Sequence, residues 1–598
     1  MNTRRPSPKH IVIASAAIFI VAFGVRLLSW HDTRREVGKV QTVVAADYQH
    51  AARLFRQEGV RGFFTSSGRL ADPNLLGHPP GYPIVIAIVW TLVGESNTSI
   101  QLLQIFCDAL GAVLILLVAV ELFPFAVGVL SGALVAFAPQ FSWNSVLLLP
   151  DTLAVFPLIL SIFFLTRAWK KPRLVWLLSA GVCVGLSCWL RANALLMAPF
   201  LVVSILLLFD RKQSLRFAGT FLAGALLVIA PLTIRNWIVF QHFIPVSLGA
   251  GQTMLEGISD YDPERRFGIP NTDMGIMKME AEEHGRADYY STLFAPDGIK
   301  RDRMLVARAG QIIRNNPGWF LGVMLQRAGS MLRLERAQRI STNPPVRQFA
   351  ELNERDLKWK PSPVALTLTL ERFPGVRVEM PDPLTLQVIS NAPRNAIQLR
   401  TAPVEVKTEH EYVLRMNLLV EHGRLGLHLV GAGSGSVLSS TIIEKAEVKD
   451  GLPPPVQVVE MPFVSGDEGA VRLAVYSGAA ASETSVINVR SVELFELGRP
   501  SFVWTRPLRW VVSSIQNLFI TAVMLPLSLA GMVILIRRRA WRVLVILLSV
   551  PVYYFCFQSL LHTEYRYVLA VHYFLFVLVG IALHEIFSLM LRLIRRTT

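Results

Sequence analysis

Ile205-Leu-Leu-Leu-Phe-Asp210-Arg-Lys-Gln-Ser-Leu-Arg216 decides the fold. It is a basic loop a few residues long between two apolar runs, 193–209 and 216–237, each of a length that suits a membrane span. The same alternation recurs along the chain. Apolar runs lie near 11–29, 97–120, 124–141, 146–167, 174–190, 193–209, 216–237, 507–536, 541–558 and 566–590. This predicts about ten spans. Pro83 to Val93 is too short to cross and reads as a helix at the interface or re-entering it. Of 598 residues, 52% are hydrophobic and 17% charged, more apolar surface than a soluble domain can hide.

The net charge of +16 does not point to nucleic acid, because the basic residues concentrate in short loops. With the N-terminus inside, Arg4–Lys9, Arg167–Arg173, Asp210–Arg216, Arg537–Arg542 and Arg592–Arg596 all fall on the cytoplasmic side. Both termini are then cytoplasmic, and the first apolar run reads as a retained span rather than a cleaved signal. Four cysteines sit inside apolar runs and suggest packing, not a disulfide framework or a thiolate metal site.

Two long polar segments fall outside. The chain accordingly divides into 1–241, a membrane core with a first outside loop at 30–96; 242–361, a helical or interfacial outside segment; 362–498, an inserted β-sandwich; and 499–598, the last spans. The sandwich is read from short alternating runs at Val364–Leu370, Leu384–Ile389, Tyr412–Val420, Leu425–Val430, Val471–Tyr476 and Val486–Phe495. Gly431–Gly435 and Pro453–Pro455 supply turns. With no Trp and few Tyr in 362–498, a structural or acceptor-positioning module is expected over a sugar-binding one.

Ionisable residues gather at the outer boundary: Asp47, His78, Asp151, Arg191, Arg235 with Asn236, and His562, Glu564 and Arg566. Groups in or beside lipid are costly and usually functional. Each also has a plainer reading. Asp47 would cap a helix starting at Tyr48. Arginines at span ends anchor to headgroups, and Arg191 could brace Asp151. His78 could brace the Pro79-Pro80 turn, and Tyr82 could anchor the interface. Mid-span, Asp108 and His572 read as helix-to-helix hydrogen bonds, and Arg26 as a side chain snorkelling outward.

Ala46-Asp47-Tyr48-Gln-His-Ala51-Ala-Arg-Leu54 resembles the acidic motif that follows the first span of GT-C glycosyltransferases. Gly77-His78-Pro79-Pro80-Gly81-Tyr82-Pro83 is similar to the end of the same loop. Pro231-Leu-Thr-Ile-Arg235-Asn236-Trp237 with Phe243-Ile-Pro245, and Glu564-Tyr565-Arg566-Tyr567, resemble two later motifs. The similarity is to the bacterial branch of protein O-mannosyltransferases, aminoarabinose transferases and RgtA/B/C/D-like enzymes, over roughly 10–335 and 505–590. It implies a multi-pass inner-membrane enzyme with a periplasmic site. A polyprenyl-phosphate-linked sugar would be the donor, and a hydroxyl on a glycan, lipid or protein the acceptor.

On that reading Asp47 is the base, and inversion follows from a single base opposite the leaving group. Arg235, Arg566 and Arg191 would hold the phosphate, with His78, Tyr82, Asn236 and Glu564 around phosphate or sugar. No metal and no cofactor is expected. Where related branches place a second carboxylate beside a Lys-Pro-Pro turn, this chain has Gly77-His78, and the nearest acid is Asp72. A lipid-linked polysaccharide polymerase or ligase, and a lipid-sugar transporter, are the competing classes. A transporter would favour a midplane site and internal repeats, and no repeat is visible.

Overall fold

The computed structural model describes residues 7–33, 42–344, 346, 352–391, 397–444, 456–477, 484–500 and 502–597. Arg4, Arg5 and Pro453–Pro455 lie outside them. The chain forms two compact units, 1–340 with 511–598, and Ser341–Trp510.

The first unit is helical. Among the described residues six helices are long and apolar enough to cross a membrane: Pro8–Thr33, Asn97–Leu122, Asp151–Lys170, Arg211–Phe240, Trp541–Leu560 and Tyr565–Arg595. All ten apolar runs are helical, but Phe125–Phe137, Leu174–Leu190 and Ala192–Leu208 are shorter. The run 507–536, expected as one span, is two helices bent by 61°. Small residues set helix approach. A Cβ at Gly181 would overlap the Phe221 carbonyl, and one at Gly224 the Leu178 carbonyl, so only glycine lets Leu174–Leu190 lie against Arg211–Phe240.

Arg26 does not snorkel. It is fully buried and ion-paired with Asp108, which also accepts the Tyr573 hydroxyl. Its Nη1 donates to the Ala22 and Ala136 carbonyls at 3.0 Å and its Nη2 to Val135 O at 3.3 Å. One guanidinium thus ties three helices together, and Asp108 adds the last. His572 reaches the Met331 carbonyl at 2.9 Å.

Outside the spans, Ala250–Ser259, Asp273–His284, Gly298–Asn315 and Pro317–Ser330 form a helical cap. Its core joins Leu255, Ile258, Ile276, Leu305 and Phe320. Buried Arg327 fastens it to the turn before the last span, donating to Ser559 O at 2.6 Å and to Gly257 O. His562 pairs with Asp260 at 2.7 Å. The cap also meets the segment that follows the first span, through Leu248 N to Leu76 O at 2.8 Å and Thr292 to Asn74 at 3.0 Å.

The second unit holds two antiparallel sheets. One runs Gln457–Val464, Glu411–His422, Ser485–Gly498, Thr385–Ser390, Val376–Asp382. The other runs Glu371–Arg372, Ile397–Arg400, Ala470–Ser477, Arg424–Gly431, Val437–Glu444. Alternating Leu414, Met416, Leu418 and Val420 fill the space between, with Leu427, Leu429 and Leu473 opposite. Val364–Leu370 is not a strand. Ser362 caps a helix over Pro363–Thr369, accepting from Ala365 N at 3.2 Å, with Pro363 at its first position. Cap and proline override the alternation.

Replacing Asp108 by Ala leaves Arg26 buried without its counter-charge. The expected loss is roughly 3–5 kcal/mol. The double change Arg26→Met, Asp108→Leu should recover most of it in thermal unfolding of the purified protein. A double variant no more stable than Asp108→Ala would contradict this account.

Candidate active site

Asp47 lies five residues inside the helix Thr42–Phe63, so it is not the cap of a helix starting at Tyr48. Its side chain is exposed and has no hydrogen-bond partner among the described residues. Its carboxyl pKa is raised by partial burial, against the opposing charge of His50. The helix is interrupted at Gly59, where φ is 63°. Only a residue without a Cβ takes that conformation cheaply, and the break turns the chain towards Phe63.

Asp47 lines a cavity of about 490 Å³ with Tyr48, His50, Asp72, Asn74, His78, Arg235, Asn236, Asp273, Thr292 and Phe294. That volume suits a sugar and part of a second substrate. The first loop, the Arg211–Phe240 helix and the cap each contribute a wall.

Arg235 enters this cavity differently from the expectation. Its Nε donates to Phe63 O at 3.0 Å, its Nη1 to Asn236 Oδ1 at 3.0 Å and its Nη2 to Leu70 O. The guanidinium lies between the rings of Phe63 and Phe240, 4.6 and 4.9 Å away. Each of its three nitrogens bonds to protein, so Arg235 braces the wall and has fewer donors to offer a phosphate than expected. Asn236 is fully buried and donates to Ile244 O at 2.9 Å and Val246 O at 3.2 Å. It too is a brace, because its amide has no group left for a sugar. Tyr82 is neither ligand nor interfacial anchor. It is fully buried and donates to Gln104 Oε1 at 2.7 Å.

The other two arginines converge on one acid. Arg191 is paired with Asp151, and Arg566 approaches the second Asp151 oxygen at 3.7 Å. Arg566 also pairs with Glu564 at 2.5 Å. Arg191 stacks on the Tyr567 ring at 4.0 Å. Asp151 and Arg566 begin spans, and Arg191 and Arg235 end helices. These groups therefore share one end of the bundle, and by connectivity the basic loops 167–173, 210–216 and 537–542 lie at the other.

His78 links the two regions. It lines the cavity, and its ring is 4.8 Å from that of Tyr48. Burial, then the charges of Arg191 and Arg566, push its pKa down to about 4. At neutral pH it is an uncharged imidazole that can donate or accept a hydrogen bond but cannot pair with phosphate as a cation. The same two arginines act on Tyr48, next to Asp47 in sequence. Asp273 escaped the sequence reading. Tyr567 closes the Glu564-Tyr565-Arg566-Tyr567 motif without an assigned role, whereas nothing local marks Asp273. Among the described residues no three His, Cys, Asp or Glu side chains gather as a metal-holding group.

Residues 77–237 match the family model described as dolichyl-phosphate-mannose-protein mannosyltransferase. They carry His78, Tyr82, Asp151, Arg191, Arg235 and Asn236. That stretch, well under half of the chain, lies within the membrane core and is similar to this glycosyltransferase family. Curated protein sequences give no match. Among solved structures, the Archaeoglobus fulgidus oligosaccharyltransferase in its apo form is similar at 15% identity, over 50% of this chain and 39% of that one, with a TM-score of 0.32. Archaeal oligosaccharyltransferase AglB from the same organism, in complex with an inhibitory peptide and a dolichol-phosphate, is similar at 15% identity over 49% and 38%, TM-score 0.30. A carbohydrate-binding module from Cellvibrio mixtus lichenase 5A, in complex with cellotriose, is similar at 12% identity over 23% and 97%, TM-score 0.17. The chain thus spans about two fifths of the archaeal enzymes, and scores this low assign it neither their activity nor their ligands.

The depressed His78 pKa carries a signed consequence. Between about pH 6.5 and about 4 the unfolded chain binds a proton at His78 that the folded protein refuses, so stability falls as pH drops through that window. His78→Gln should lose less stability than the parent between pH 7 and pH 4. Parallel unfolding-versus-pH curves would contradict the assignment.

Proposed function

We propose that the chain is an inverting glycosyltransferase that moves a sugar from a polyprenyl-phosphate donor to an acceptor hydroxyl at the periplasmic face of a bacterial inner membrane. The observation that carries this is Asp47, partnerless among the described residues, in a cavity whose Tyr48 and His78 feel Arg191 and Arg566. The family description over 77–237 names a lipid-phosphate sugar, and makes mannose the first sugar to try.

The chemistry divides between the two regions. Asp47 takes the proton of the acceptor hydroxyl as its oxygen attacks the anomeric carbon. The bond to the lipid phosphate breaks on the opposite face, which inverts the centre. Arg191 and Arg566 meet the charge growing on the departing phosphate. Each guanidinium has five N–H donors. Arg191 spends one on Asp151, which fixes its direction and leaves the others available. Preorganised cations of this kind contribute on the order of 3 kcal/mol to the transition state. Arg235, Asn236 and Tyr82 support the walls. The basic loops at the far end of the bundle support a cytoplasmic assignment for that end and a periplasmic one for the site. A cavity at one end of the helices also favours transfer over transport.

Asp47→Asn should lower transfer from a purified polyprenyl-phosphate sugar by at least about a hundredfold without changing the melting temperature. Normal turnover by a folded Asp47→Asn protein would sink the proposal. In the parent, activity should fall as pH drops through the raised Asp47 pKa, because a protonated carboxyl cannot accept the hydroxyl proton. Arg191→Lys and Arg566→Lys should each weaken binding of the free polyprenyl phosphate, since an ammonium lacks the paired donors. Arg235→Lys should chiefly lower stability.

A further inference from the structure

The cavity has a second acidic wall that the mechanism above leaves unused. Asp273 opens the helix Asp273–His284, and Thr272 caps that helix by accepting from Gly275 N at 3.1 Å. The Asp273 side chain is therefore not consumed as a cap. It lines the cavity that holds Asp47, and its charge reaches His78.

Behind Asp273 lies the helix Ala250–Ser259, with Gln252 and Glu256 one turn apart. The Gln252 amide donates to Asp273 Oδ1 and, at 3.2 Å, to Glu256 Oε1. Glu256 is buried at 7% exposure, and the Gln252 amide joins its carboxyl to that of Asp273. Of two carboxyl groups held this close, the buried one keeps its proton the more readily. Burial, the Asp273 contact and the nearby Asp260 charge push the Glu256 pKa up to about 9, with Gln252 opposing. Asp260 is itself engaged by His562 at 2.7 Å and Arg327 at 4.0 Å. At neutral pH, Glu256 and Gln252 are thus two donors holding one acceptor. A carboxylate has about four lone-pair positions, so roughly two remain for a ligand. Asn74, Ser291 and Thr292 line the same cavity and complete a polar wall with no Lys or Arg beside Asp273 among the described lining residues.

We infer that Asp273, positioned by Glu256 and Gln252, binds sugar hydroxyls inside the reaction cavity, and that this wall selects a neutral or ammonium-bearing sugar over an anionic one. The inference rests on the cavity being the site of transfer. The hydroxyls belong either to the donor's sugar or to the acceptor. Glu256 and Gln252 act through Asp273 and are positioning residues.

The test uses the full chain in detergent. The probes are a short-chain polyprenyl phosphate, the same lipid phosphate bearing mannose, and the same bearing glucuronic acid. The parent should bind the mannosyl probe more tightly than the glucuronyl one. Asp273→Asn should lose about tenfold in affinity for the mannosyl probe, the scale of one charge-assisted hydrogen bond, and nothing for the bare lipid phosphate. Glu256→Gln keeps a neutral donor and should bind like the parent, whereas Glu256→Ala should follow Asp273→Asn. Above about pH 9 the parent should lose mannosyl affinity as Glu256 gives up its proton beside Asp273, and Glu256→Gln should not. Unchanged donor binding in Asp273→Asn with a tenfold higher KM for methyl mannoside as acceptor would assign the hydroxyls to the acceptor. Unchanged values in both arms would overturn the inference. A parent that fails to bind even the bare lipid phosphate would instead overturn the transfer reading beneath it.

Discussion

One carboxylate between two guanidiniums organises one end of this bundle. Asp151 stands at the start of a span, Arg191 at the end of the next helix, and Arg566 at the start of the last span. Each charge alone would be expensive so close to lipid. Together they compensate one another, and the arrangement holds three chain segments in register. Tyr567 lies beneath Arg191, its ring centre 4.0 Å from the guanidinium carbon, and helps hold that group in place. The neighbouring cavity inherits that rigidity, because Tyr48 and His78 lie within reach of the same charges.

The buried arginines share a residue type and differ by partner. Arg235 and Arg327 donate chiefly to backbone carbonyls, and Arg26 does so beside its ion pair with Asp108. They satisfy groups that would otherwise be orphaned and fasten separate segments together. Arg191 and Arg566 meet carboxylates instead, with donors left over on Arg191. This division explains why the motif around Arg235 was legible in the sequence while its role was not. A one-dimensional pattern marks an arginine at a span end, but whether Phe63 and Leu70 will present carbonyls to it depends on a helix break at Gly59.

Other features separate along the same line. Hydropathy and basic loops gave the helical runs, since each follows from local composition. Alternation located Thr385–Ser390, Glu411–His422 and Ser485–Gly498. It failed at Pro363–Thr369, where a serine and a proline set the start of a helix. Asp47 was readable because it follows the first span directly. Asp273 was not, because it reaches the cavity only through the packing of the cap, which depends on distant pairs such as Arg301 with Glu280 at 2.7 Å. No spacing in the chain announces a contact between 74 and 292, or between 76 and 248.

The short helices carry a further consequence. Met197–Leu208 has 12 residues and Phe125–Phe137 has 13. At a rise of 1.5 Å per residue these reach about 18–20 Å, against a hydrocarbon core of about 30 Å. Where such a helix borders lipid, the bilayer must compress or bend to keep its ends covered, a hydrophobic mismatch. A thinned annulus brings headgroup level closer to the helix ends that carry the arginines. A lipid-borne group arriving from the side then has less depth to cross before it meets protein.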